Sequence, residues 1–270
     1  MEYLIATDLE GIHGVVGEPN KTLTASRDYP DACLGAALEI NAVARALFES
    51  GATKVAVWDN HGGGGNVDFS LVDERCIEIT PKGDKHRFDF VKEHNFRAII
   101  FLGYHAKEGT PGGVLAHTFS SVGIQYVRLN GKDIGELFVD AYIAAYHGIV
   151  PILIATDDVA LCEMQGICPS IGTVTTKYGK RRNEAVLRPR EEVLDELYRA
   201  ALDAASSPLP SYGHEFPRGA HLEVRYTRAE RADTVYDKVS AAGEVPVFRG
   251  CDTHTLHFTI ERANQVQTLL

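Results

Sequence analysis

Two carboxylates stand one residue apart near the start of the chain, in the segment ATDLEG at residues 6–11. Successive side chains of a strand point to opposite faces, so Asp8 and Glu10 point the same way if the preceding apolar residues form a strand. Like charges side by side repel each other unless a positive group lies between them. The pair therefore indicates either ordinary turn residues after a strand or the oxygen ligands of a cation.

Further polar side chains follow other apolar segments. His61 stands in WDNHGGGG, His105 stands in GYHAKEG, and NGKDIGE brings Glu136 to a predicted helix start. A single histidine at a strand end is commonly a hydrogen-bonded structural residue, and a glutamate at a helix start can simply complement the helix dipole. In an α/β sheet, however, ligands bind beyond the carboxyl ends of the strands, where these residues are expected together. Histidines mixed with carboxylates suit zinc, with manganese or cobalt as alternatives.

The number of these side chains indicates more than one cation. A single catalytic zinc ion takes about three protein ligands and keeps an open position. Two cations that share a carboxylate, about 3.5–4 Å apart, use five ligands, and their charge removes the repulsion between neighbouring carboxylates. The sequence thus predicts a site for two zinc ions per chain, formed by Asp8, Glu10, His61, His105 and Glu136.

One more histidine, His117, lies in the glycine-rich segment TPGGVLAHTFSS, shortly after His105. It is flanked by small polar residues and stands too far along the loop to be predicted as a ligand. We expect it to act as a general acid or base, or as a donor to a carbonyl oxygen.

The composition disfavours several classes of protein. The chain has 270 residues and a net charge of −10, which disfavours a nucleic-acid partner. The short basic segment KYGKRR is interpreted as a solvated loop, with a lysine that faces an anionic pocket as the alternative. No segment approaches the ~20 apolar residues of a membrane span, and MEYLIATD lacks the basic start of a signal peptide. The five cysteines include no C-x-x-C pair, which predicts free thiols and a cytoplasmic location.

Short apolar segments alternate with helical patterns along most of the chain. Strands are predicted at residues 3–7, 54–58, 76–80, 98–103, 125–129 and 151–155, and helices in ACLGAALEINAVARALFESG, FDFVKEHN, ELFVDAYIAAYHG and PREEVLDELYRAALDAASS. Asp157 and Asp158 resemble a helix N-cap. Continuous apolar segments such as KVAVW and PILIA are typical of parallel strands buried on both faces.

These patterns predict two parts. Residues 1–205 are expected to form an α/β domain with a mostly parallel sheet flanked by helices. After the Pro- and Gly-rich connection PLPSYGHEFPRG, residues 206–270 are expected to form a smaller C-terminal α+β part, with strands in HLEVRYT and THTLHFTIE around the helix RAERADTVYDKVS.

Five segments in this order, TDLEG, DNH, GYHA, GGVLAHT and NGKDIGE, resemble the M55 family of zinc-dependent D-aminopeptidases. The resemblance extends from residue 3 to about residue 160 and weakens in the C-terminal third. It implies an α/β fold with a smaller C-terminal part, a dinuclear zinc site and ring-shaped homo-oligomers. It places the metal ligands at the same five residues and the catalytic histidine at His117, and Asp8 is the predicted bridging ligand.

The leading hypothesis for function is a metallo-aminopeptidase that uses a metal-activated water on short peptides with a free, D-configured N-terminal residue. A dinuclear phosphoesterase is the second hypothesis, disfavoured because none of the candidate site residues is an arginine or lysine that neutralises phosphate. A non-catalytic metal-binding, ring-forming protein is the third, disfavoured because all five ligands occur together with His117.

Overall fold

The computed structural model describes residues 1–80, 88–210 and 216–270. Within them the strands are β1 (Glu2–Thr7), β2 (Lys54–Asp59), β3 (Ile77–Ile79), β4 (Phe96–Leu102), β5 (Ile124–Leu129), β6 (Lys132–Asp133), β7 (Val150–Asp157), β8 (Gly172–Arg181), β9 (Glu184–Leu187), β10 (Ala220–Tyr226), β11 (Val247–Arg249) and β12 (Thr255–Ile260). The α-helices are α1 (Tyr29–Glu49), α2 (Glu136–Tyr146), α3 (Asp158–Ile167), α4 (Arg190–Ser206), α5 (Ala229–Ala242) and α6 (Asn264–Thr268).

The larger sheet contains seven of these strands, in the order β3-β2-β1-β4-β7-β8-β9. Its pairings are parallel except that of β8 with β9, which is antiparallel. The predicted α/β fold with a mostly parallel sheet flanked by helices is therefore confirmed. Because β2, β1 and β4 are adjacent and parallel, their carboxyl ends meet at one edge of the sheet.

A second sheet contains five antiparallel strands in the order β11-β12-β10-β5-β6. It joins the strands of the predicted C-terminal part to β5, whose partly exposed alternation is typical of an antiparallel strand with one solvated face. Residues 125–129 thus form a strand as predicted, but in this second sheet. The pairing crosses residue 205, so the division of the chain at that position stays a prediction.

Strand β1 shows how burial holds the larger sheet from both sides. Tyr3 and Ile5 belong to the apolar core formed with α1 and α4. Leu4 and Ala6 belong to the core formed with α2, α3 and the second sheet. Complete burial of a side chain the size of Ile5 or Leu4 contributes about 1.5–3 kcal/mol to folding. The strand that ends in the two carboxylates is therefore fixed on both of its faces.

The helices predicted from apolar spacing are present as α1, α2, α4 and α5, whereas FDFVKEHN forms only a short 3₁₀ helix at Asp89–Glu93. Asp157 caps α3 as predicted, since its Oδ1 accepts hydrogen bonds from Val159 N at 2.9 Å and Ala160 N at 3.0 Å. The predicted Pro- and Gly-rich connection lies partly outside the described residues, at positions 211–215. In the described parts of the chain, no helix has the length and apolarity to cross a membrane.

The basic segment KYGKRR belongs to strand β8 up to Arg181, so the interpretation as a loop was wrong, whereas Lys177 agrees with the alternative of a lysine that faces acidic groups. Lys177 lies in β8 and its side chain is fully buried. Its Nζ donates to the carbonyl oxygens of Glu10 at 2.6 Å and Ile12 at 2.7 Å. These acceptors let the lysine enter the interior, although burial lowers its pKa to about 8. A charge whose partners are distant backbone carbonyls leaves no local pattern in the sequence.

Gly103 lies where the loops after β1 and β4 touch, and it adopts a left-handed φ of +69°. A Cβ at this position would lie 2.2 Å from the carbonyl oxygen of Asp8. We expect Gly103→Ala to lower the free energy of unfolding by about 2–4 kcal/mol, because backbone strain adds to overpacking. Denaturant unfolding measures the loss.

Gly51→Ala is the matched control for this prediction. Gly51 has a φ of +86° and no atom within 4 Å of an added Cβ, so only the backbone cost of about 1 kcal/mol applies. Equal losses in the two variants would show that the close approach of Gly103 to the Asp8 loop does not matter.

Candidate metal centre

The carboxyl ends of three adjacent strands bring the predicted ligands together. Asp8 and Glu10 follow β1, His61 follows β2, and His105 follows β4. Glu136 is the first residue of α2 and supplies the fifth side chain. All are buried except His61, which is half-buried. The structure thus brings all five predicted ligands to one place.

His61 faces the carboxylates of the first strand. Its Nδ1 lies 3.0 Å from Asp8 Oδ1 and 3.2 Å from Glu10 Oε2. The loop that carries it is fixed by Asp59, whose carboxylate accepts hydrogen bonds from the backbone N–H of His61 at 3.2 Å and of Asn66 at 2.5 Å. One nitrogen and two carboxylates that converge in this way are the donor types expected for one half of the predicted two-cation site.

His105 faces a different pair of carboxylates. Its Nε2 lies 2.8 Å from Glu136 Oε1 and 3.4 Å from Asp8 Oδ2. Its Nδ1 donates to the carbonyl oxygen of Ala106 at 3.0 Å, which fixes the ring and leaves the Nε2 side for a ligand. Despite its close neighbours, the buried Nε2 makes no hydrogen bond of acceptable geometry. A buried nitrogen without a partner among carboxylates fits a site that is completed by a cation.

The two halves share Asp8, because its Oδ1 faces His61 and its Oδ2 faces His105. This contact pattern supports, without testing, the prediction that Asp8 bridges two cations. Among the residues that the structure describes, two groups of three have ligand atoms within 4.8 Å of one another: Asp8, Glu10 and His105, and also His105, His117 and Glu136. The second group places His117 close enough to contact a cation, so its role as a non-ligand stays a prediction.

The electrostatics of the site favour positive charge beside the carboxylates. Burial opposes protonation of His61, but its hydrogen bonds to Asp8 and Glu10 outweigh burial and raise its pKa to about 11. Burial also opposes protonation of His105, yet the charges of Glu136 and Asp8 raise its pKa to about 10. The carboxylates around these rings thus favour a positive charge at both positions, as the ligands of a cation do.

His117 differs from the other two histidines. Its Nδ1 donates to the carbonyl oxygen of Leu115 at 2.9 Å, and its Nε2 lies 3.8 Å from Glu136 Oε1. Its ring stacks on that of His105, with 3.8 Å between centroids and 14° between planes. Burial and the positive charge of His105 lower the pKa of His117. The ring is thus held neutral at neutral pH, with one nitrogen fixed and the other available to accept a proton.

The loop that carries His117 is strained on both sides of the histidine. Leu115 has a φ of 50° and Phe119 has a φ of 59°, in the left-handed region that side chains rarely occupy. Such strain is kept only where the surrounding structure holds it, and it is concentrated at functional sites. Both residues line the same cleft as His117, so the strain lies at the site.

Strand β8 binds the backbone of the loop that follows β1 and carries Asp8 and Glu10. Lys177 binds the carbonyl oxygens of Glu10 and Ile12, and Thr176 Oγ1 donates to that of Gly11 at 2.6 Å. Three consecutive carbonyl groups of the loop are therefore held by two neighbouring residues of one strand. Sequence reasoning missed this support, because residues so far apart in the chain share no local pattern.

A cleft of about 230 Å³ opens over these side chains. Its lining includes Asp8, Glu10, His61, His117 and Glu136. Lys21 and Arg182 also line it, and neither was predicted as a site residue. The volume lies below the ~300–1,000 Å³ of pockets for drug-sized ligands, which suits a substrate of a few residues.

Comparison with known proteins agrees with this geometry. A family model described as the D-aminopeptidases of peptidase family M55 matches residues 1–270. A D-aminopeptidase of Bacillus subtilis (strain 168) is 32% identical over 181 residues, which span 66% of this chain and 64% of the relative. The match to that relative therefore covers slightly less than two thirds of its length.

A solved structure adds a likeness in fold. The zinc-dependent D-aminopeptidase DppA of Bacillus subtilis, described as a self-compartmentalizing protease, superimposes with a TM-score of 0.80 at 23% identity. The superposition covers 100% of this chain and 95% of that one. The family match over the whole chain, together with this fold and the ligand cluster, leads to one assignment: the chain belongs to peptidase family M55, the D-aminopeptidases.

Proposed function

We propose that this protein is an aminopeptidase that binds two zinc ions per chain and hydrolyses short peptides with a free, D-configured N-terminal residue. The observation that carries the proposal is the pair of histidine–carboxylate half-sites that share Asp8, with Nε2 of His105 buried between Glu136 and Asp8 without a hydrogen bond of acceptable geometry. The family match and the named activities of the two Bacillus subtilis proteins support the zinc and the D-residue. Manganese and cobalt fit the same donor set.

The five ligand side chains would hold the metal ions. When bound, zinc supplies Lewis-acid activation of water and of the peptide carbonyl. The chain's own contribution begins with position: β1, β2 and β4 and the start of α2 fix every ligand before substrate arrives. This preorganisation avoids rearrangement during the reaction.

His117 handles the proton in this scheme. Its Nδ1 donates a hydrogen bond to the carbonyl oxygen of Leu115, so Nε2 is the ring nitrogen left to exchange a proton in the cleft that His117 lines. The neutral ring accepts a proton at Nε2 while water attacks the peptide carbonyl. The imidazolium then returns that proton to the leaving amine. Its positive charge also stabilises the negative charge that develops on the carbonyl oxygen.

A comparison of dipeptides tests the proposal. D-Ala-D-Ala, L-Ala-L-Ala and N-acetyl-D-Ala-D-Ala are offered at equal concentration, with and without zinc. We expect hydrolysis of the first and none of the acetylated peptide, because a free amine is required. Equal rates for the acetylated peptide would refute recognition of the amine, and a preference for the L-dipeptide would refute the stereochemical part.

The phosphoesterase hypothesis keeps one supporting observation. Lys21 and Arg182 line the cleft and supply the positive charge that the candidate ligands lack. A p-nitrophenyl phosphate arm in the same assay separates the two activities. Turnover of that ester without turnover of any dipeptide would favour the phosphoesterase. A zinc-loaded protein without either activity would favour the non-catalytic hypothesis.

We also propose that the chain forms a ring-shaped homo-oligomer, as the family resemblance implies and as the self-compartmentalizing description of DppA supports. Light scattering coupled to size exclusion should give a mass that is a multiple of 29.5 kDa. A monomer at micromolar concentration would exclude the ring. The cytoplasmic location stays a prediction.

A further inference from the structure

The cleft contains two cationic side chains that the scheme for catalysis does not use. Lys21 and Arg182 line it together with three of the carboxylate ligands. Lys21 forms an ion pair with Glu18, and its side chain is 52% exposed. The nearest acidic partner of Arg182 is Glu108, whose Oε2 lies 3.9 Å from Nη1, beyond hydrogen-bond distance. Arg182 is therefore the cation with more free binding capacity.

Arg182 is fixed relative to His117. Its guanidinium Nη1 donates to the carbonyl oxygen of Ala116, and its own carbonyl oxygen accepts from Leu115 N at 2.8 Å. These two bonds hold the residues directly before His117. A guanidinium carries five N–H donors, so most of them stay available beyond the bond to Ala116. The side chain is 42% exposed, but its bond to Ala116 anchors the guanidinium beside the cleft that it lines.

We infer that Arg182 binds the C-terminal carboxylate of a short peptide substrate. This inference rests on the proposed function and adds the second end of the substrate to it. A dipeptide is about 7 Å long at about 3.3–3.6 Å per residue, so an amine held at the ligands leaves the carboxylate about 7 Å away, near the other residues that line the cleft. If the N-terminal amine lies at the metal ligands, the carboxylate at the other end of the peptide requires a positively charged side chain elsewhere in the cleft. Arginine suits a carboxylate because its planar fork forms two parallel hydrogen bonds.

The test compares D-Ala-D-Ala with D-Ala-D-Ala amide on zinc-loaded protein. In the unmodified protein we expect the acid to exceed the amide by about 10–100-fold in kcat/KM, mostly through KM, since a charge-assisted pair is lost with the amide. In Arg182→Gln the acid-to-amide ratio should fall to about 3-fold or less. Arg182→Lys should restore part of it, because the charge returns without the fork.

Two further variants make the ratio specific to Arg182. Arg181 is the neighbouring residue, exposed and paired with Glu184 at 3.7 Å, so Arg181→Gln should keep the ratio of the unmodified protein. Lys21→Gln tests the other cation of the cleft and should also keep it. A collapse of the ratio in Lys21→Gln, with none in Arg182→Gln, would overturn the assignment.

A structural role for Arg182 predicts something different. If its bond to Ala116 only supports the loop of His117, Arg182→Gln slows the acid and the amide equally and the ratio does not change, which would overturn the inference. Calorimetric binding of both dipeptides separates this failure from that of the proposed function. A protein that hydrolyses neither peptide refutes the proposed function. In that case the binding measurement still decides the role of Arg182: the acid should bind more tightly than the amide to the unmodified protein, and this difference should disappear in Arg182→Gln.

Discussion

His117→Ala should keep its metal ions and lose about 10²–10⁴-fold in kcat, the range expected when a general acid or base or a charge-stabilising donor is removed. The physical reason is that Nε2 of His117 faces the site but lies 3.8 Å from Glu136 Oε1, while His61 and His105 each have two carboxylates nearer. Steady-state kinetics and elemental analysis of the same preparation measure both quantities.

A second substitution separates chemistry from loop support. In His117→Asn the side-chain amide can take over the hydrogen bond to the carbonyl oxygen of Leu115, but nothing replaces Nε2. This variant should therefore lose as much activity as His117→Ala while it unfolds at the same denaturant concentration as the unmodified protein. His254→Ala is the control: this histidine lies between β11 and β12 of the second sheet, and its replacement should leave activity and metal content unchanged. Loss of metal from either His117 variant would make His117 a ligand.

Asp8→Asn should remove more metal than any other single ligand substitution, because Asp8 places one carboxylate oxygen 3.0 Å from His61 and the other 3.4 Å from His105. We expect less than one equivalent per chain and a loss of about 10³-fold or more in kcat/KM, since metal activation supplies several kcal/mol and each ~1.4 kcal/mol is tenfold. Glu136→Gln affects only the half-site of His105 and should leave about one equivalent. Elemental analysis after dialysis distinguishes the two.

Asp68→Asn is the control for these carboxylate variants, because Asp68 only caps a short surface turn through Ser70. It should keep the full metal content. If Asp8→Asn and Glu136→Gln lose the same amount of metal, Asp8 is not shared between two ions.

Much of the site could be predicted from the sequence because its chemistry is local to strand ends. Asp8 and Glu10 directly follow an apolar strand, and His61 and His105 follow two others, so the topology of a parallel sheet alone brings them together. Glu136 could be predicted because the turn NGKDIGE places it at the start of a helix, which the structure has as α2. The fold class followed from the same alternation of strands and helices.

The parts that escaped prediction depend on contacts between distant segments. The sequence of Lys177 and its neighbours is typical of a basic, solvated segment. Its burial depends on distant groups such as the carbonyl oxygens of Glu10 and Ile12, more than 160 positions away. Arg182 enters the cleft because β8 lies beside the loop of Ala116. The sequence of β5 is that of an ordinary strand, but it does not indicate that this strand pairs with β10 in the second sheet. Such long-range pairings carry no local signal.

The metal content of active protein tests the central claim most directly. Protein purified without chelator and without added metal should contain two equivalents of divalent metal per chain, zinc above manganese or cobalt, and activity should fall with metal on removal by a chelator. One equivalent in fully active protein would contradict the dinuclear site formed by Asp8, Glu10, His61, His105 and Glu136. A value near zero in active protein would contradict a metal-dependent reaction altogether.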